Sequence, residues 1–165
     1  MTLRHELQQT EGKTSDYLGM VREFHEKFGY SVNRHLSEFS ESSEIGVVGH
    51  TLCQTAKHLV ENGGRNDLLK LRAHLMLEEL GEALEALGRK DEVALLDGLG
   101  DLLYVVWGTA VSLGLPLEEA FVEIHKKNML KDRQEGRPGH PGKAENYLPP
   151  DLESILQAYK ERREG

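Results

Sequence analysis

The sequence predicts an all-α protein, and three observations carry that expectation. Apolar residues recur with the 3.6-residue period through several separate stretches, glycine, proline and asparagine fall between them, and no run alternates with the two-residue period of a strand. At 165 residues the chain suits one domain, small enough that self-association would help its core.

The elements follow in order. Residues 1–15 read as a polar leader, and residues 16–165 as a single all-α domain. Tyr17, Leu18, Val21, Phe24 and Phe28 share a helical face, so a helix is predicted over Asp16–Phe28 with Ser15 or Asp16 as N-cap and Gly29 as stop. Residues 30–49 are mixed, with the polar patch SEFSESSE as an exposed loop or short helix. A second helix is predicted from Val47 to Glu61, ending at Asn62-Gly63-Gly64. The apolar face from Leu68 to Leu87 predicts a long helix over about Asp67–Leu87, with Gly88 as its end. Another runs from about Asp91 to Leu113, broken by Gly114 and Pro116, and the next from Leu117 to about Lys131. The stretch QEGRPGHPGKAENYLPP reads as a loop, after which Asp151 caps a last helix, LESILQAYKERR.

The net charge of −8 argues against nucleic acid or an anionic membrane as the partner. A single cysteine, Cys53, excludes an intrachain disulfide framework and fits a reducing cytoplasm, where it reads as a small core residue. The N-terminus lacks the apolar centre of a signal peptide. The run Val93–Leu115 approaches membrane-spanning length, but its two aspartates and four glycines favour a buried helix of a soluble bundle.

Those two aspartates, Asp97 and Asp101, are the only charges in that run. A carboxylate buried among leucines and valines costs several kcal/mol unless a cation or hydrogen bonds compensate it. On the preceding helix Glu78, Glu79 and Glu82 crowd one sector, and two antiparallel helices joined by the short turn GRKDE bring the two sets face to face. Oxygen-only donors without cysteine suit Mg²⁺ or Mn²⁺. A di-iron centre is set aside, because the chain contains no Glu-x-x-His pair. His74, four residues before Glu78, is placed to support it, although a core or surface histidine is the commoner role. Glutamates three and four apart also decorate solvated helix faces, so Glu85 reads as solvated.

The motif Glu78-Glu79-Leu80-Gly81-Glu82, followed by GDLLYVVWGTA, FVEIHKKNMLK and NYLPPDL, resembles the all-α nucleoside triphosphate pyrophosphohydrolases. That superfamily holds the MazG-like proteins, dimeric dUTPases and phosphoribosyl-ATP pyrophosphatases. The resemblance covers about residues 67–156 and leaves residues 30–66 as an unplaced insertion. It implies a four-helix-bundle core in a homodimer or homotetramer, acting on a nucleotide, with dUTP and non-standard nucleotides among the candidates. It further implies Mg²⁺ (or Mn²⁺) on Glu79, Glu82 and Asp101, with Glu78 as an added ligand or as the group that activates water. Asn128 and Lys131, with Lys143 and Tyr147 from the loop, would face the phosphates. The family's second motif is ExxD, whereas the position three before Asp101 is Gly98; Asp97 is the candidate substitute. Phosphoribosyl-ATP hydrolysis and a non-catalytic nucleotide-binding or interaction protein are the alternative functions.

Overall fold

The computed structural model describes residues 16–133, 141–143 and 146–164; their regular structure is helical apart from one pair of two-residue strands. The helices are α1 (Tyr17–Phe28), α2 (Ser43–Val60), α3 (Leu68–Arg89), α4 (Glu92–Leu113), α5 (Leu117–Met129) and α6 (Leu152–Glu164). Single 3₁₀ segments span Leu36–Glu38 and Glu61–Asn66. The polar leader and most of the glycine- and proline-rich loop lie outside the described residues. β1 (Asp132–Arg133), just before that loop, pairs antiparallel with β2 (Pro141–Gly142) inside it, a ladder too short to show alternation in the sequence.

Polar caps set the helix starts. The Asp16 carboxylate accepts from the Gly19 N–H at 2.8 Å, Asp67 from those of Leu69 and Lys70, and Asp91 from that of Ala94 at 3.0 Å. Each such cap is worth about 1 kcal/mol. Gly29 and Gly114 take left-handed φ values of 76° and 63° and stop α1 and α4, as expected. The end of α3 differs from expectation. Gly88 lies inside the helix, and Lys90 takes the left-handed position at φ 59°. The reason is packing: a Cβ on Gly88 would stand 2.8 Å from the Gly46 nitrogen and the Ser42 oxygen.

The chain divides into two units. In the first, comprising α1, most of α5 and the strand pair, aromatic contacts dominate. Tyr17 meets Phe121 edge-on at 5.0 Å between centroids, and Phe24 packs on the buried Phe28 at 4.7 Å. The Lys27 ammonium donates to the Met129 carbonyl, and His125 Nε2 lies 3.3 Å from the Glu23 carboxylate.

The second unit holds α2, α3, α4 and α6. Here α2 and α3 approach backbone to backbone, since a Cβ on Gly49 would sit 2.5 Å from the Gly81 carbonyl oxygen. Lys90 and Asp91 alone join α3 to α4, which makes that pair an antiparallel hairpin. At its crossing the buried Gly98 lies against Ala83; a Cβ at 98 would be 3.0 Å from the Ala83 backbone.

The buried apolar side chains of this unit are small: Ala56, Ala83, Ala86, Val105 and Ala110. The bulkier ones on α4 are open, with Val93 81%, Tyr104 80% and Val111 82% exposed, and Leu96, Leu99 and Leu103 exposed beside them. The expectation of a buried α4 is therefore corrected. Only the stripe through Gly98, Val105 and Ala110 is buried, and Asp97 and Asp101 both face solvent.

Candidate metal centre

The hairpin register decides which carboxylates meet. With Ala83 level with Gly98, Glu79 lies one turn before that crossing on α3 and Asp101 one turn after it on α4. In an antiparallel pair those two positions are at the same height. Glu78 and Glu79 are half-buried, whereas Glu82, Asp97 and Asp101 are exposed. Their convergence shows in the Glu79 carboxyl, which is held above the ordinary carboxylate range by burial first, then by the charges of Glu82, Asp101, Glu78 and Asp97. Asp101 acts on Glu79 more strongly than Asp97 does, in line with the register.

The donor set fits a hard divalent cation: oxygen only, anionic and contributed by two helices. Glu79, Glu82, Asp97 and Asp101 form no ion pair among the described residues. As the side chains stand, no three His, Cys, Asp or Glu groups among the described residues close to ligating distance. Like charges at a helix crossing spread, and rotation about side-chain bonds is what would bring them onto one ion. Position 98 supplies no ligand, because its glycine is where α4 touches α3. Asp97, beside it, lies on the solvent side within a surface hollow of about 620 Å³ that also includes Asp91, Gly100 and Asp101.

Glu78 differs from the other four. Its carboxylate Oε2 lies 3.3 Å from His74 Nε2, and the buried His74 ring places Nδ1 2.9 Å from the Ala56 carbonyl oxygen on α2. Glu85 is less solvated than expected: it is paired with His50 and Arg89, each at 3.4 Å. The Cys53 thiol donates weakly to the Glu78 carbonyl at 3.8 Å, and burial, then the charges of Glu85, Glu82 and Glu78, push its pKa up. It is an inert packing group that fills the notch over Gly81.

Arg72 escaped notice in the sequence. It stands seven residues before Glu79 on the same face, donates to the Ser112 hydroxyl at 3.3 Å, and keeps a buried Nε without a partner among the described residues. The two-turn spacing to Glu79 was the available signal.

Asn128, Lys131, Lys143 and Tyr147 belong to the first unit. Asn128 lies half-buried in the last turn of α5, and its carbonyl accepts from the Lys131 N–H at 3.1 Å. The Lys131 and Lys143 ammonium groups lie 6.0 Å and 5.8 Å from the Tyr147 ring centre, so these three are brought together.

Comparison with known proteins adds a family. The model for phosphoribosyl-ATP pyrophosphohydrolase matches residues 50–128, from within α2 to the end of α5. That match, over just under half of the chain, supports a relationship of this region to the MazG-like all-α pyrophosphohydrolase superfamily. It also brings part of α2 into the family region, which the sequence had left in an insertion. Uncharacterized protein L479 of Acanthamoeba polyphaga mimivirus is 34% identical over 79 residues, 48% of this chain. The match spans only 28% of that relative's own length. No solved structure matches.

Proposed function

We propose that the chain is a cytoplasmic, Mg²⁺- or Mn²⁺-dependent pyrophosphohydrolase that converts a nucleoside triphosphate, dUTP or a non-standard nucleotide among them, into a monophosphate and pyrophosphate. What supports it is the convergence of Glu78, Glu82, Asp97 and Asp101 on Glu79 at a helix hairpin inside the family-matched region. Glu79, Glu82 and Asp101 would hold the metal, with Asp97 as a further candidate ligand. When bound, the cation reverses the local charge and polarises the phosphate oxygens. Glu78 accepts a proton from the attacking water, whose oxygen joins the α-phosphorus as the bond to the bridging oxygen breaks and pyrophosphate leaves. Within the first unit, Asn128, Lys131, Lys143 and Tyr147 supply a cluster of donors suited to phosphate oxygens. Phosphoribosyl-ATP is a second substrate reading, favoured by the printed name of the matching family.

The same proposal includes a homodimer or homotetramer. The apolar face of α4 is long and apolar enough to cross a membrane by length and composition, with only 17% of the relevant window buried. Asp97 and Asp101 in mid-helix would each cost about 2.5–3.5 kcal/mol in a bilayer, whereas a second copy covers the face and leaves the carboxylates at a solvated edge.

Incubating the protein with a panel of ribo- and deoxynucleoside triphosphates and phosphoribosyl-ATP in Mg²⁺ tests the activity. Stoichiometric monophosphate and pyrophosphate from at least one member is expected. Release from none of them removes the catalytic proposal and leaves a non-catalytic helical protein.

A further inference from the structure

His74 is the one buried polar or charged side chain among the described residues, at 2% exposure. Both groups that face its ring are acceptors by position. The Ala56 carbonyl has no proton to give, so Nδ1–H donates to it, and this fixes the ring in its plane. Nε2 lies on the Glu78 side of the ring, 3.3 Å from Oε2 one helical turn on, at ion-pair distance. Ala56 is itself fully buried, so the anchor on α2 is immobile.

From this we infer that His74 is a positioning residue for Glu78, linking the backbone of α2 to one oxygen of that carboxylate; the inference rests on the proposed hydrolytic site. One oxygen of Glu78, Oε2, lies at ion-pair distance from the ring, and among the described residues the other has no partner. A carboxylate tied in that way presents a single aimed lone pair, which suits taking a proton from water better than bidentate metal ligation. Among the described residues, Glu79, Glu82 and Asp101 have no such tether. The arrangement is that of histidine–carboxylate supports around reactive centres, whose removal commonly costs about 10- to 100-fold in activity or affinity.

Isosteric replacements separate the two contacts. In His74→Asn the amide nitrogen takes the place of Nδ1, keeping the bond to Ala56 and losing Glu78. In His74→Gln it takes the place of Nε2, keeping Glu78 and losing Ala56. We expect His74→Asn to melt near the wild-type temperature with kcat down about tenfold and KM little changed. His74→Gln is expected to melt lower while retaining most of kcat, and His74→Asn should add nothing in a Glu78→Gln background. Wild-type kcat in His74→Asn, or an undiminished effect in that background, overturns the inference. A readout independent of turnover is the ¹³C carboxyl resonance of Glu78, assigned by its loss in Glu78→Gln. It should shift in His74→Asn and hold in His74→Gln; no shift in His74→Asn overturns the positioning role even if the protein hydrolyses no nucleotide. If the resonance behaves as expected and no nucleotide is cleaved, the functional proposal fails and the tether stands.

Discussion

Glu79 carries the electrostatic cost of the site. Burial and four carboxylates raise its pKa, so between the unfolded and folded values the folded chain binds more protons than the unfolded one. The resulting stability is fully present below the unfolded value and is lost as pH rises through the folded value. Glu79→Gln should therefore raise the Tm of chelator-treated protein at neutral pH, with the gain shrinking toward acid; a gain independent of pH would contradict the assignment. The carboxylates were legible in the sequence because charges stand out in an apolar helix. Their exposure was not, since hydropathy records which residues avoid water and not which neighbour covers them. His74 shows the same limit, because nothing in the sequence reveals that Ala56 fixes its ring.

At the scale of elements, the α3–α4 hairpin depends on Gly98. The sequence revealed a missing ligand there, and the structure supplies the reason: the position is a contact between helices. Gly98→Glu, which would restore the family's acidic residue, is expected to push α4 off α3 and cost about 1–3 kcal/mol in urea denaturation. Unchanged stability with faster turnover would mean that the seam opens and accepts a ligand at 98. Gly88 was misread for a related reason. Glycine marks helix ends and close helix contacts alike, and only the approach of Gly46 and Ser42 separates the two roles. The cap Asp16 was easier, because its chemistry is local.

At the scale of the whole molecule, the second unit buries alanines and valine while leaving leucines, valines and a tyrosine of α4 open. A large exposed apolar patch marks an interaction surface. Light scattering should find a dimer or tetramer, and Tyr104→Glu, at a side chain already exposed in one chain, should reduce it to monomer without unfolding it. A wild-type monomer would contradict the assembly. The helices were visible in the periodicity, but their division into two units was not, because periodicity is local and unit boundaries depend on contacts between distant residues. The account's central claim is that Glu79, Glu82 and Asp101 form a divalent-cation site across the α3–α4 seam. Calorimetric titration of Mn²⁺ into the wild type and Asp101→Ala, both verified as folded, tests it most directly. Saturable binding with a defined stoichiometry, abolished in Asp101→Ala, is predicted; weak binding without stoichiometry, the same in both proteins, would contradict it.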